Sequence, residues 1–140
     1  MFLVLLSLLG CSTNDIATLI KQQADSCNMN CVITIPKLTN YKWDKMYVFD
    51  NACSPEVIDS AIGMEYPYYK EFSKTMIFLN KGKIVHYENH EDKIETATNG
   101  SVIFDYPDSL HYQVYTPDKA KFRAKLVNFS KGTFYELSQQ

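Results

Sequence analysis

Two short apolar runs separated by a tight turn are the feature of this chain that most restricts its fold. Residues 75–79 and 83–87 are rich in strand-forming side chains, and Asn80-Lys81-Gly82 between them is typical of a β-hairpin turn. A lone hairpin is marginally stable in water, so further elements must cover its apolar side chains. The sequence therefore predicts an antiparallel sheet built around residues 75–87.

Further strand and helix signals surround this hairpin. The first helix is expected to begin at Ser12 and Asp15, which are spaced as a capping box. The second has the strongest local signal, because Ser54 caps it, Pro55 occupies its first turn and Gly63 is placed to end it. We predict one α+β domain, with two short helices packed on an antiparallel sheet of about five to seven strands. Besides the hairpin, strands are predicted at residues 31–35, 43–50, 101–104, 111–115, 121–129 and 133–137.

The predicted strand at 43–50 is expected to lie in the middle of the sheet. Trp43, Tyr47 and Phe49 would share one of its faces, and Met46 and Val48 the other. Both faces are thus largely apolar, which favours a strand covered on both sides.

The chain begins with a short apolar run, residues 2–9, followed by Gly10 and Cys11. The run is as long as the apolar region of a signal peptide and about half as long as a membrane-spanning helix. No Lys or Arg precedes it, although signal peptides usually begin with a positive segment. The alternative interpretation is an N-terminal core element with an incidental cysteine.

Leu8-Leu9-Gly10-Cys11 resembles the lipobox of bacterial lipoproteins. The resemblance implies that residues 1–10 are a signal peptide, that Cys11 carries a lipid, and that residues 11–140 form a periplasmic domain. Ser12, rather than Asp, follows the anchor, which in Gram-negative lipoproteins favours the outer membrane; in a Gram-positive organism the site would be the cell membrane. The short helix that ends in Ile62-Gly63, followed by strands, resembles the helix-then-sheet plan of BamE-like (SmpA/OmlA) envelope lipoproteins, a likeness of architecture that carries no function.

The charge and the aromatic content limit the classes of partner. The net charge is only −2 and Arg123 is the single arginine, which argues against a surface that binds nucleic acid. The chain has ten Tyr and eight Phe. Tyrosine suits half-buried strands and contact surfaces, because its ring is apolar and its hydroxyl is polar.

Three cysteines remain if Cys11 is acylated, which allows at most one internal disulfide. We favour Cys31–Cys53, which would join the ends of two predicted strands. Cys27–Cys53 and the very short Cys27–Cys31 loop remain open. A metal site made of these three cysteines lacks a fourth ligand.

His86, Glu88 and His90 alternate along a predicted strand, so their side chains are expected on one face. Two imidazoles and a carboxylate are possible zinc ligands, although a polar strand end that runs into a solvated loop is the favoured interpretation. The chain shows no nucleophile motif and no glycine-rich phosphate loop. We therefore predict no enzyme activity and no cofactor; a small periplasmic hydrolase or metal-binding protein is the alternative.

The segment 64–72 is aromatic and irregular, and its Tyr66, Tyr68, Tyr69 and Phe72 are the predicted partner-binding residues. The alternative is that this segment folds back over the sheet. The predicted function is that of a membrane-anchored lipoprotein which binds another protein of the cell envelope. Such a protein would be an immunity protein or inhibitor directed at a toxin or lytic enzyme, or an accessory factor of envelope assembly.

Overall fold

A computed structural model of the protein describes residues 15–91, 100–107 and 110–140. The predicted signal peptide 1–10, the anchor Cys11 and the predicted cap Ser12 lie outside the described residues. The described chain has an α+β fold with two α-helices and eight strands, which confirms the predicted class. The elements are α1 (Ile16–Ser26), β1 (Val32–Thr34), a 3-10 turn (Ile35–Lys37), β2 (Lys45–Phe49), α2 (Pro55–Ile62), β3 (Ser73–Asn80), β4 (Lys83–Glu91), β5 (Val102–Phe104), β6 (Tyr112–Tyr115), β7 (Lys121–Phe129) and β8 (Gly132–Gln139).

The strands are divided between two sheets of four. The first sheet has the order β4-β3-β2-β6, and the second has the order β1-β7-β8-β5. All neighbours are antiparallel except β5 and β8, which are parallel. Two stacked sheets bury the apolar faces of both, whereas one extended sheet would need further cover for the same side chains.

The first sheet is the middle layer, with a core on each side. One core lies between the two sheets and includes α1, and the other lies between the first sheet and α2. Strand β2 is central, as predicted: Met46 and Val48 pack in the core beside α1, and Tyr47 and Phe49 in the core beside α2. The expectation that Trp43 shares a face with Tyr47 and Phe49 is wrong. Trp43 precedes β2, so the strand alternation does not apply to it, and it packs in the core beside α1.

Both helices begin at a side-chain cap. The predicted capping box is wrong for α1: Asp15 is itself the cap, with an extended backbone, and its Oδ1 accepts a hydrogen bond from the main-chain N–H of Thr18 at 2.7 Å. Helix α2 has the predicted cap at Ser54 and ends at Gly63, whose φ of 76° is the left-handed conformation that glycine adopts readily. Neither described helix has the length and apolar composition needed to cross a membrane.

The hairpin of β3 and β4 has the predicted turn and one irregularity. Lys81 and Gly82 have φ of 50° and 75°, the positive values that a two-residue hairpin turn requires. Near the turn the register shifts, so that His86 faces Phe78 while Ile84 faces Leu79. Val85 is the extra residue between them, and this bulge decides which side chains of β4 face each core.

Candidate functional site

Strand β4 lies at one edge of the first sheet, and its two faces carry different side chains. His86, Glu88 and His90 project from the inner face, where Glu88 contacts the start of α1. Tyr87 projects from the outer face and contacts aromatic rings of the segment that follows α2. The structure thus brings the three predicted metal ligands together and places an aromatic group behind them.

Glu88 is a buried carboxylate, 6 % exposed, with a hydrogen-bond donor on every side. The main-chain N–H of Ile16 donates to Oε2 at 2.6 Å, and that of Ala17 donates to Oε1 at 3.2 Å. His86 Nε2 lies 2.6 Å from Oε2, and His90 Nε2 lies 3.1 Å from Oε1. Each oxygen therefore has one main-chain partner and one imidazole partner. We call His86, Glu88 and His90, with these two N–H groups, the Glu88 cluster.

The Glu88 cluster stabilises the charged form of its carboxylate. Burial by itself raises the pKa of Glu88, but the hydrogen bonds from His86, His90 and the two main-chain N–H groups outweigh it and lower the pKa from 4.5 to about 2. The positive end of the helix dipole favours the same ionised form. Tyr41 covers the cluster by stacking on His86, with 5.0 Å between ring centroids. Burial and the charge of Glu88 raise the pKa of the Tyr41 hydroxyl.

The described residues contain one group of possible metal ligands, which shares Glu88 and His90 with the predicted site but has Asp15 in place of His86. One ligand atom each from Asp15, Glu88 and His90 lies within 4.8 Å of the others. Asp15 already caps α1, and each oxygen of Glu88 already accepts two hydrogen bonds. Metal ligation by Glu88 would therefore break contacts with α1 or with an imidazole. The arrangement favours a buried helix cap, and the metal-binding alternative stays a prediction.

Tyr68 and Tyr87 form an exposed stacked pair on the outer side of β4. Their rings are nearly parallel, 6° apart, with 4.0 Å between centroids, and the residues are 45 % and 38 % exposed. Tyr66 packs edge-on against both rings. Asn89 links the pair to the sheet, because its Oδ1 accepts from Tyr66 Oη at 3.0 Å and its Nδ2 donates to the main-chain oxygen of Tyr68 at 2.8 Å. We call Tyr68 and Tyr87, with their supports Tyr66 and Asn89, the aromatic surface.

The structure separates the four residues that the sequence proposes for partner contact. Tyr66 is 4 % exposed and belongs to the core beside α2. Tyr69 is half-buried against the same core, and its Oη donates to the main-chain oxygen of Cys53 at 3.3 Å. Tyr68 and Phe72 are exposed, Phe72 by 71 %. The segment thus folds back over the sheet through two of its aromatic residues and presents the other two to solvent.

Tyr87 is the residue of the aromatic surface that sequence reasoning missed. It lies in the predicted strand 83–87, where an aromatic side chain is ordinarily assigned to the core. The available signal is the polar stretch that follows it, since an edge strand with charged neighbours leaves one face open to solvent. Only the return of Tyr68 onto β4 shows that the Tyr87 ring has a stacking partner.

The predicted Cys31–Cys53 disulfide is wrong. The bond joins Cys27 to Cys31, whose Cα atoms are 5.8 Å apart. Asn28 and Met29 both have positive φ in the turn after α1, and this turn brings the two cysteines together. Cys53 is a free thiol buried in the core beside α2, away from the other two cysteines.

Cys53, Asp50 and His111 lie close together, but not as a nucleophile and its base. The thiol of Cys53 contacts the main-chain oxygen of His111 at 3.1 Å and Asp50 Oδ1 at 3.5 Å. The imidazole Nδ1 of His111 is instead 3.5 Å from Asp50 Oδ2. Burial, followed by the charge of Asp50, raises the pKa of Cys53 to about 12. A thiol that stays protonated at neutral pH is a poor nucleophile, so these contacts favour a structural role.

A cleft of about 440 Å³ separates β5 from the start of β3 and from α1. Several of the polar groups at its wall already make contacts that hold the fold together. Lys21 Nζ donates to the main-chain oxygen of Gly100 at 3.1 Å, His90 contacts Glu88, and Asp50 contacts His111 and Cys53. The first contact joins α1 to the β5 region, the second lies within β4, and the third joins the end of β2 to the residue before β6, which favours a structural interpretation of the cleft.

Comparisons with protein-family models, with curated proteins and with solved structures give no match to this chain. The lipobox and the likeness to BamE-like lipoproteins therefore stay predictions. The aromatic surface and the Glu88 cluster are the features of the described residues that bear on function.

Proposed function

We propose that this protein is a membrane-anchored bacterial lipoprotein that acts by binding another protein of the cell envelope. Its anchor is a lipid on Cys11, which becomes the first residue after residues 1–10 are removed. Its contact site is the aromatic surface on the outer face of β4. In a Gram-negative organism the domain faces the periplasm from the outer membrane.

The exposed stack of Tyr68 on Tyr87 is the observation that carries this proposal. Together the two tyrosines present an apolar area with polar hydroxyl groups, the combination that is enriched at the centres of protein interfaces. Tyr66 and Asn89 hold the pair in place before any partner arrives. Binding then costs less side-chain entropy, because the contacting rings are already ordered.

The surroundings of the stack fit a protein partner. Val85, the bulged residue of β4, is 39 % exposed and lies two positions from Tyr87. Among the described strands, the nine-residue β4 has a neighbour on one side only, and an edge strand of this kind can pair with another chain. A toxin or lytic enzyme held by an inhibitor, or a component of envelope assembly, presents the large folded surface that such a site requires.

Partner capture tests this proposal. The tagged protein is used to recover binding proteins from an envelope extract, and a variant with both Tyr68→Ser and Tyr87→Ser is compared with the unchanged chain. We expect recovery of a stoichiometric partner to fall about tenfold or more, because central aromatic residues contribute ~2 kcal/mol or more to such interfaces. Quantitative mass spectrometry of the eluted proteins measures the change.

Leu126→Ser is the matched control, since Leu126 is 43 % exposed and lies on β7 of the other sheet. It should leave the recovery unchanged. Circular dichroism shows whether each variant is folded. Equal recovery by a folded double variant and by the unchanged chain would contradict the assignment of the aromatic surface as the contact site.

The anchor is tested separately. We expect a Cys11→Ser variant to move from the membrane fraction to the soluble fraction, and a Cys53→Ser variant to stay with the membrane because Cys53 is buried in the domain. Mass spectrometry of the native N-terminus should show a lipid on Cys11. An unmodified Met1 in the native host would overturn the anchor and leave the protein-binding proposal standing.

A further inference from the structure

The chain enters the domain at one defined end of the first sheet. Asp15 lies beside His90, and the N–H of the next residue, Ile16, is bonded to Glu88. His90 of β4 pairs with Lys74 on the neighbouring strand β3. The first described residue is therefore next to the end of β4 and the beginning of β3.

The proposed anchor can lie only a short distance from this end. Three residues separate Cys11 from Asp15, and four residue steps span at most about 14 Å. Because α1 is fixed to β4 through Glu88, its first turn cannot swing away from the sheet to lengthen this connection. The end of the domain that carries Asp15 must consequently approach the bilayer.

Phe72 lies at this same end. It immediately precedes β3, whose first residue Ser73 pairs with Glu91, the last residue of β4. At the spacing of residues along a strand, Phe72 is roughly 15 Å from Asp15. Phe72 thus lies about as far from Asp15 as Cys11 can lie from it.

The conformation of Phe72 is unusual for a residue that serves only the fold. It is 71 % exposed, the highest fraction among the large apolar side chains on the described surface. Its φ is 55°, a left-handed value that bulky side chains rarely adopt and that is more frequent at functional sites. The turn therefore holds an apolar ring away from the protein, at the end where the anchor begins.

We propose that the turn containing Phe72 is a second membrane contact, in which the Phe72 ring enters the interface of the bilayer that holds the lipid of Cys11. This inference rests on the proposed anchor. Aromatic and apolar side chains are favoured at the boundary between headgroups and acyl chains.

The proposed membrane contact depends on the apolar ring of Phe72 rather than on attraction between charged side chains and anionic lipids. Lys70 is paired with Glu91 at 2.8 Å, and Glu71 lies beside Phe72 in the chain. The described residues next to Phe72 thus carry charges of both signs. The contact should depend little on the content of anionic lipid.

This orientation leaves the aromatic surface accessible. Tyr87 pairs with Ile77, which is five positions beyond Phe72 along the chain. The separation along the strand direction is roughly 15 Å, enough to keep the Tyr68–Tyr87 stack outside the headgroup layer. The domain would meet its partner from the side while Phe72 faces the membrane.

Fluorescence quenching by the bilayer tests the inference. The lipidated protein is reconstituted in vesicles of phosphatidylethanolamine and phosphatidylglycerol that contain brominated acyl chains, as a Phe72→Trp variant and as a Leu126→Trp variant. Leu126 is the matched control, because it pairs with Tyr135, whose Oη bonds Asp25 near the opposite end of α1. The buried Trp43 contributes the same background to both variants.

We expect F72W to be quenched at least about twofold more than L126W, as a ring at the headgroup boundary is within reach of the bromine atoms. Mass spectrometry of the same samples verifies the lipid on Cys11. Equal quenching in a lipidated sample would overturn the membrane contact and leave the anchor intact. Absence of the lipid would overturn the anchor and, with it, the orientation proposed for Phe72. Vesicles without phosphatidylglycerol should give the same difference, and loss of that difference would contradict a contact based on the ring.

Discussion

The inner and outer faces of β4 use neighbouring residues in opposite ways. Glu88, on the inner face, is an ionised group that ordinarily belongs in water, yet it is buried and its charge supports the first turn of α1. Tyr87, the residue before it, carries an apolar ring that ordinarily belongs in a core, yet it is stacked in solvent. Residue type alone therefore does not separate the structural face from the candidate contact face.

The number and kind of local partners make the difference. Glu88 has a donor for each lone pair that burial removes from water, and this compensates for the loss of hydration. Tyr87 has a ring above it and another beside it, but both rings of the stack stay partly exposed to solvent. Substitutions on the two faces should consequently affect different measurements, stability for the inner face and binding for the outer face.

The largest expected effect is that of Glu88→Ala. Removing the carboxylate leaves two helix N–H groups and two imidazoles without their acceptor. We expect the free energy of unfolding to fall by about 3–5 kcal/mol, because each buried donor left without an acceptor costs about 1–3 kcal/mol. Urea denaturation followed by circular dichroism measures the loss. The exposed Glu71→Ala is the control and should change the free energy by less than about 0.5 kcal/mol.

A loss in Glu88→Ala no larger than in Glu71→Ala would erase the contrast between the two faces of β4. It would mean that α1 holds its position through its apolar side chains alone. The same result would weaken the membrane orientation proposed for Phe72, because that orientation requires α1 to be fixed at its first turn.

The next largest loss of stability is expected on acidification, through protonation of Glu88. Because the pKa of Glu88 is lowered from 4.5 to about 2 in the folded protein, its contribution is complete above pH 4.5 and is lost as the pH falls towards 2. The shift corresponds to a contribution on the order of 3 kcal/mol. We expect the difference in stability between the unchanged chain and Glu88→Gln to shrink across this interval. Urea denaturation at several pH values measures it, and a constant difference would contradict a charged Glu88.

The smallest expected effect on stability is that of Tyr68→Ala, on the outer face. Its ring is stacked but partly exposed, so its removal should cost about 1 kcal/mol. Tyr66→Ala removes a buried ring from the same cluster and should cost about 3 kcal/mol. Thermal unfolding compares the two variants. Similar losses of stability would show that Tyr68 belongs to the core, and the aromatic surface would then lose Tyr68 as a contact residue.

Local signals were sufficient for most elements of the fold. The cap at Ser54, the stop at Gly63 and the turn at Asn80-Lys81-Gly82 each depend on a few adjacent residues, and each is found where expected. The central place of β2 followed from apolar side chains on both of its faces. The disulfide could not be predicted in this way, since the choice among three cysteines depends on the positive φ of Asn28 and Met29 and on the distance to Cys53.

The candidate site was predicted only in part, because local signals do not show which distant residues meet. Alternation along a strand placed His86, Glu88 and His90 on one face. It did not show that the N-terminus of α1 donates hydrogen bonds to Glu88. The composition of segment 64–72 drew attention to Tyr68, but not to the stacking partner on β4.

The sequence by itself determined the fold class, the positions of most helices and strands, and the short polar connection between Cys11 and the first helix. Those properties depend on capping groups, turn residues and the alternation of apolar side chains, all of which act over a few residues. Only the tertiary structure decided the division into two sheets, the cysteine that stays free, and the burial of Glu88 beside an exposed Tyr87. These outcomes depend on contacts between residues far apart in the chain: the N–H of Ile16 reaches Glu88, and the ring of Tyr68 reaches Tyr87.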